Sequence, residues 1–307
     1  MPRFQSGTMV TSVNSPFCLE REISDQGGMA SIYEATVIDN EIRERNGKRV
    51  ALKIARTGED NDDLFETFLR RETDLLTKLR HPGVVRVFPI RQGSKWRNVA
   101  RATNLPGEPF YFAMELLGRN LKEIITDRRF SLPWRVEVLY QVAVTLDFVH
   151  VCGLVHRDLK PENIMFRGEV SPKAIPQVVL IDFGLGEKRY RPGDVQAATL
   201  SHSSPERILA FQQRTTQIQH PDKVDVWALG VVAYELLTGL YPFGEMNSRT
   251  ELTDRILYKQ PFEMRDVPPN LRRLVEATLA KNPERRPTMQ EVVERLETDV
   301  EYMPPRI

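Results

Sequence analysis

Cysteine is scarce: the 307 residues hold two, Cys18 and Cys152, far apart and in neither a CxxC nor a metal-ligand spacing. A disulfide framework is therefore not expected, and a reducing compartment is the default. No charge of one sign dominates. Lysine plus arginine number 43 against 42 aspartate plus glutamate, a formal net charge of +1. The basic excess of a nucleic-acid-binding domain is missing, and so is a polybasic run suited to a membrane surface. Long apolar runs are lacking too. The longest, Val226 to Leu240, falls short of the roughly 20 residues that cross a bilayer and contains Glu235, so it reads as a buried helix. Met1 to Thr8 has no apolar core of a secretory signal, and Pro2 stands where N-myristoylation needs glycine. There is no internal repeat and no low-complexity tract. The expectation is a cytoplasmic protein with no nucleic-acid partner and no membrane segment in this chain.

What is present is ordinary for a folded chain: 41% hydrophobic and 28% charged residues, in a length that suits one large domain or two smaller ones. Residues 1–16 are polar, lack periodicity and read as a flexible leader. From Phe17 to Glu115 the pattern is strand-rich. Ser31 to Ile38 and Arg49 to Ala55 are β-type, and the charged stretch between them holds Asn46-Gly47, a hairpin-turn signal. One helix interrupts, from about Asp62 to Leu79, and Phe110 to Leu116 returns to strand character. From Leu121 onward helices dominate. Pro133 suits a helix start, with Val138, Leu139, Val142, Leu146 and Val149 following at helical spacing. Thr288 and Glu291 form a capping box that opens a last helix through Leu296. A small sheet-rich part thus precedes a larger helical one.

Chemistry concentrates in three places. His156-Arg-Asp158-Leu-Lys160-Pro-Glu-Asn163 reads as a loop, because Pro161 and polar residues interrupt any periodicity. A base, a cation and an amide crowded onto one loop make sense around a polyanionic, metal-bearing reaction centre. Asp182, 24 residues beyond Asp158, ends the apolar run Val178 to Ile181 and begins Asp182-Phe-Gly184. A carboxylate at the end of a buried strand is costly unless a cation sits there, and magnesium prefers such oxygens. Lys53 lies in the strand pattern Val50 to Ile54. In the helix that follows, Leu64, Phe68, Leu75 or Leu76 and Leu79 make an inward stripe that includes Glu72. An acidic side chain on a core-facing stripe needs a partner, and Lys53 is the candidate. Singly, Glu72 reads equally well as a snorkelling surface residue and Lys53 as an exposed strand lysine.

The strand lysine, the helix glutamate, the HRDxKxxN loop and the DFG triplet, in that order, resemble the signature of the eukaryotic-type (Hanks-type) serine/threonine protein kinase family. The likeness covers about residues 17–298, and Gly28-Met29-Ala30 with the compact loops leans towards bacterial members. It implies an α+β, bilobal fold. A small antiparallel β-sheet lobe with one helix (about 17–116) precedes a larger, mostly α-helical lobe (about 117–298), with 299–307 as a tail.

By this resemblance Asp158 accepts the proton of the substrate hydroxyl and Lys160 neutralises charge on the transferring phosphoryl group. Asn163 and Asp182 hold magnesium, with manganese as an alternative. Lys53, positioned by Glu72, contacts the α- and β-phosphates of ATP. Met114 to Leu117 is the hinge, with backbone groups of Glu115 and Leu117 bonding adenine. Ile23, Ile32, Ala51 and Met165 enclose the base. Gly27, Gly28 and Ala30 belong to the glycine-rich loop. There the first family glycine is replaced by Asp25 and the third by Ala30, which puts nucleotide affinity in question. Glu206 in Ser204-Pro-Glu206 is the expected ion-pair partner of Arg286. Asp225 to Gly230 resembles the buried helix that anchors the catalytic loop.

Such a peptide-docking apparatus favours a protein substrate over a small molecule. Lys160-Pro161 and Thr199, which matches a threonine bridging Asp158 and Lys160, favour serine and threonine over tyrosine as acceptors. Between Gly184 and Thr199 there is no serine or threonine, yet Arg157 precedes Asp158, which in the family marks activation by a phosphate. Either Glu187 or Asp194 substitutes for that phosphate, or Tyr190 or Thr199 is modified. Self-association for autophosphorylation is a further expectation. Two rival readings stand beside this one: a pseudokinase that only binds partners, supported by the altered glycine loop alone, and a small-molecule kinase, opposed by the segment from Thr199 to Glu206.

Overall fold

The computed structural model describes residues 4–12, 15–24, 30–57, 62–183, 200–215, 217–244 and 248–298. The chain divides into two compact units, one of Met1–Arg80 with Val84–Leu117, the other of His81–Gly83 with Gly118–Ile307. The fold belongs to the α+β class.

The first unit is built on an antiparallel sheet. Its strands are β1 (Met9–Ser12), β2 (Ser15–Ser24), β3 (Ala30–Val37), β4 (Arg49–Ala55), β5 (Val87–Phe88), β8 (Ala100–Arg101) and β9 (Phe110–Met114). They run in the order β1-β2-β3-β4-β9-β5, with β8 also on β9, while β6 (Ile90–Gln92) and β7 (Lys95–Arg97) make a separate hairpin. Strand β4 is buried along nearly its whole length because both faces of the sheet are covered. Alternation sends Val50, Leu52 and Ile54 into a core with Phe17, Tyr33, Ala35, Ile42, Ile90 and Tyr111. Ala51 and Lys53 therefore face the opposite side, where helix α2 (Asp62–Leu76) packs.

Two expectations need correction here. The stretch from Asp39 to Lys48 does join two strands that pair antiparallel, β3 and β4, but through helix α1 (Asn40–Asn46) rather than a tight turn. Asp39 caps it by accepting from the Ile42 N–H at 2.9 Å, and Gly47, at φ 85°, ends it. Ile42 is fully buried, so one apolar residue anchors an otherwise charged helix to the core. The leader, expected to be flexible, contains β1. It pairs with β2 from Met9↔Cys18 to Ser12↔Ser15, and Val10 is fully buried. On its other edge the Asn104 side chain imitates a strand, accepting from Thr11 N–H at 2.8 Å and donating to the Met9 carbonyl at 2.7 Å. Four residues are too few for a periodicity to register.

The second unit is mainly helical: α3 (Leu132–Val151), α4 (Pro205–Gln212), α5 (Asp222–Thr238), α6 (Arg249–Tyr258), α7 (Pro269–Thr278) and α8 (Met289–Thr298). A short ladder of β10 (Ile164–Phe166) and β11 (Val178–Leu180) accompanies them. Ser131 caps α3 just before Pro133. Every residue of α5 from Val224 to Leu236 is buried, which is why that stretch is apolar on all sides apart from Asp225 and Glu235, and Gly239 at φ 75° closes the helix. The capping box of α8 is formed: Thr288 N–H donates to Glu291 at 2.7 Å and Glu291 N–H to Thr288 Oγ1 at 3.2 Å. Among the described residues no helix is long and apolar enough to cross a membrane.

Candidate active site

In the first unit, Lys53 Nζ donates to both carboxylate oxygens of Glu72 at 2.8 Å. The pair is mostly screened from solvent, with side-chain exposures of 13% and 12%. Phe68, Leu69, Thr73, Leu76 and Leu79 form the buried stripe of α2 and the turn after it, and Leu76 rather than Leu75 is the fully packed member. Leu64 lies outside the described side chains. Ile32 is the cross-strand partner of Lys53, and Ala51 pairs with Met114. Ala30 opens β3 and is buried, whereas Ile23 on β2 is exposed. Glu115 is buried. Its carboxylate accepts from Arg86 N–H at 2.9 Å and its own N–H donates to the Arg86 carbonyl. Leu117, half-buried, ends the unit. Asp25, Gly27 and Gly28 lie outside the described residues.

In the second unit the loop from His156 to Asn163 is organised from below by Asp225 of α5. This fully buried carboxylate accepts the N–H of His156 and of Arg157, each at 2.8 Å, and meets His150 Nε2 at 2.9 Å. Burial alone would push its pKa up. The hydrogen bond and charge of His150, then His156 and the Arg157 N–H, bring it below the usual carboxylate value. These bonds hold Arg157 at φ 70°, which a side chain of its size rarely adopts. The next residue, Asp158, receives Lys160 Nζ at 2.8 Å and Asn163 Nδ2 at 3.1 Å on Oδ2. Asn163 also donates to the Asp158 carbonyl at 2.7 Å, on the 3-10 turn Pro161–Asn163. Burial pulls the pKa of Lys160 down, but Asp158, and less directly Asp182 and Glu162, outweigh it and raise it.

The end of β11 is tied to this loop. Ile181 N–H donates to the Asn163 carbonyl at 3.1 Å, and His156 Nε2 lies 3.1 Å from the Ile181 carbonyl. His156 packs on the Phe183 ring at 4.5 Å, and its burial lowers its pKa against the pull of Asp225, Asp158 and Asp182. Asp182, between them, takes φ 58°. Met165 lies half-buried on β10. Farther along, Arg286 and Glu206 pair at 2.7 Å. Thr199, Glu187, Tyr190 and Asp194 lie outside the described residues.

Sequence reading missed two members of this arrangement. His150, near the end of helix α3, is the side-chain partner of Asp225, and its one signal is a polar residue among apolar neighbours. Arg207, next to Glu206, donates to the Arg157 carbonyl and has no signal of its own.

The donor chemistry suits a hard divalent cation. The amide nitrogen of Asn163 is engaged with Asp158, so Oδ1 is the atom it presents, and Asp182 is a carboxylate near enough to act on Lys160 and His156. Among the described residues no group of three or more His, Cys, Asp or Glu gathers as a dedicated metal cage. Magnesium used with nucleotides needs none, since it takes one or two protein oxygens and the rest from phosphates and water.

Parts of this kind suit a catalyst that moves phosphoryl groups by positioning and charge rather than by covalent attack. The chain belongs to the protein kinase family: residues 26–296 match the protein kinase domain. It is similar to the serine/threonine-protein kinase PknA of Mycobacterium tuberculosis, with 31% identity over 278 residues, 89% of this chain and 58% of that protein. It is also similar to the serine/threonine-protein kinase pkn3 of Myxococcus xanthus (29% identity, 87% of this chain, 46% of that protein). A third relative is the serine/threonine-protein kinase PkaA of Streptomyces coelicolor (28% identity, 92% and 50%). The chain thus spans about half the length of these curated relatives. The family uses ATP and a divalent metal ion and acts on proteins.

Proposed function

We propose that this chain is an active serine/threonine protein kinase that transfers the γ-phosphate of Mg-ATP to hydroxyls of protein substrates. Asp158 is the base that accepts the hydroxyl proton, and Lys160 offsets charge on the moving phosphoryl group. Asn163 Oδ1 and Asp182 hold magnesium, with manganese as the alternative ion. Lys53, aligned by Glu72, binds the α- and β-phosphates. The carbonyl of Glu115 and the backbone of Leu117 bond adenine, while Ile23, Ala30, Ile32, Ala51 and Met165 surround the nucleotide with Gly27 and Gly28. Thr199, which lies outside the described residues, is assigned by the family resemblance to bridge Asp158 and Lys160. The kinase domain is residues 17–298, and the two free cysteines agree with a cytoplasmic setting.

The observation that carries this reading is the state of Asp158: Lys160 and Asn163 both bond Oδ2 and so orient the other oxygen towards an acceptor. The test is transfer of labelled phosphate from ATP with magnesium to a mixed serine, threonine and tyrosine peptide library. Phosphoserine and phosphothreonine are expected, and Asp158→Asn lowers kcat on the order of 10²- to 10⁴-fold. Unchanged transfer by Asp158→Asn, or phosphotyrosine as the main product, overturns the proposal.

A further inference from the structure

Because Glu72 rides on α2, whatever fixes the rotation of that helix also fixes the Lys53 ion pair. A second attachment exists on its flank. Glu66 and Arg70, one turn apart, pair at 2.8 Å, and Arg101 of β8 reaches the other Glu66 oxygen at 3.7 Å. Arg101 lies directly across the ladder from Phe110 of β9. Both guanidiniums lie against the Phe110 ring, Arg101 at 4.2 Å and Arg70 at 4.7 Å from its centre. Two like charges on one ring would repel, and the Glu66 carboxylate between them offsets this. At 3.6 residues per turn, Glu66 points about 120° around the helix from Glu72. The helix is therefore tied to the sheet by charged groups at two angles, which adds to its buried stripe in resisting rolling.

We propose that Arg101 is a positioning residue for phosphotransfer: with Phe110 it clamps Glu66 and Arg70 and so sets the rotation of α2 at which Glu72 meets Lys53. This rests on the kinase reading for its catalytic consequence but not for the clamp itself. Each contact is weak at a half-exposed surface, yet all converge on one ring and one carboxylate.

The experiment compares Arg101→Ala, Phe110→Leu and Phe110→Tyr in the full chain. Arg101→Ala and Phe110→Leu are expected to lower kcat about three- to tenfold, the range that one or two such contacts control, with the peptide KM unchanged. Phe110→Tyr, which keeps the ring face, stays at the wild-type rate. In a Glu72→Gln background Arg101→Ala adds nothing, since the ion pair it serves is already lost. A full additional loss there, or an unchanged kcat in Arg101→Ala, overturns the proposal. Amide hydrogen exchange over residues 66–76 supplies a readout independent of activity. It is expected to quicken in Arg101→Ala while β2 and β3 stay protected. If the wild type transfers no phosphate, the kinase reading falls and exchange alone judges the clamp: unaltered protection of α2 overturns it.

Discussion

Arg286 grips Glu206 with both prongs of its guanidinium, Nη1 to Oε1 at 2.7 Å and Nη2 to Oε2 at 2.8 Å. Its other bonds go to the carbonyls of Ala280, Lys223 and Lys281, and the side chain is wholly buried above the Trp227 ring. Removing the carboxylate strands a buried cation. Glu206→Ala is therefore expected to lose about 3–5 kcal/mol of stability, read as a lower urea midpoint with an unchanged slope. Arg286→Lys should lose much of the same amount, because an ammonium cannot span both oxygens and three carbonyls. A shift no larger than that of an exposed ion pair would show the pair to be ornamental.

The first strand is predicted to be part of the folded core rather than a dispensable leader. Val10 faces Phe17 across the ladder, and the buried Tyr111 hydroxyl lies 3.2 Å from Ser12 Oγ. Burial pushes the Tyr111 pKa up to about 12, against the pull of Ser12. Deleting residues 1–12 should lower the thermal midpoint by an amount that reflects the roughly 1.5–3 kcal/mol of burying one large apolar side chain, plus the lost ladder. Tyr111→Phe should cost only about 1 kcal/mol. Equal midpoints for the truncated and full chains would refute this.

Legibility in the sequence followed the range over which each signal acts. Lys53 and Glu72 could be matched because strand alternation and helical period each carry a face, and a charge on a buried face demands a partner. The apolar run of α5 announced its own burial, and Thr288 with Glu291 announced a helix start. Helix α1 was misread because Asn46-Gly47 signals a hairpin and a helix end equally well. The decision lay with the Asp39 cap and the burial of Ile42, which depend on a core assembled from distant strands. Strand β1 was invisible for the same reason, since its second edge is Asn104, more than ninety residues away. The His150–Asp225 contact likewise exists only once α3 and α5 are packed.

Glu235 supplies a pH-dependent prediction. Burial on α5 pushes its pKa up to about 7 from 4.5, with Lys122 pulling it down and Glu162 adding to the rise. A folded-state pKa above the unfolded one means that the folded chain holds the proton more tightly. This contribution is full below about pH 4.5 and is lost as pH rises through about 7. Glu235→Gln keeps the shape without the titration. It should be more stable than wild type above pH 7 by on the order of 2–3 kcal/mol and match it near pH 4.5. His156 acts in the opposite sense. Its lowered pKa gives a contribution present above about 6.5 and lost towards acid, so the difference between variant and wild type, not either profile alone, is the quantity to follow. A difference that does not change between pH 4.5 and 8 would contradict the assignment.

Asp225→Asn should separate the frame of the catalytic loop from its chemistry. Asparagine offers one acceptor oxygen where aspartate uses two, and its amide would confront the N–H of His156 or Arg157 with a second donor. Each orphaned N–H costs about 1–3 kcal/mol. The strained φ of 70° at Arg157 is tolerated only because both N–H groups are held, so releasing one lets the residue relax into an ordinary region and carries Asp158 with it. Displacement of a base by about an ångström is enough for a loss on the order of a hundredfold in kcat. Nucleotide binding through Lys53 and the hinge should change little, because none of those residues bonds to Asp225. The expected result is a large fall in kcat with a nearly constant KM for ATP, in a protein that still melts cooperatively. A variant that keeps its full kcat would mean that Arg207 and the Lys160–Asn163 contacts suffice to hold Asp158 without the buried carboxylate.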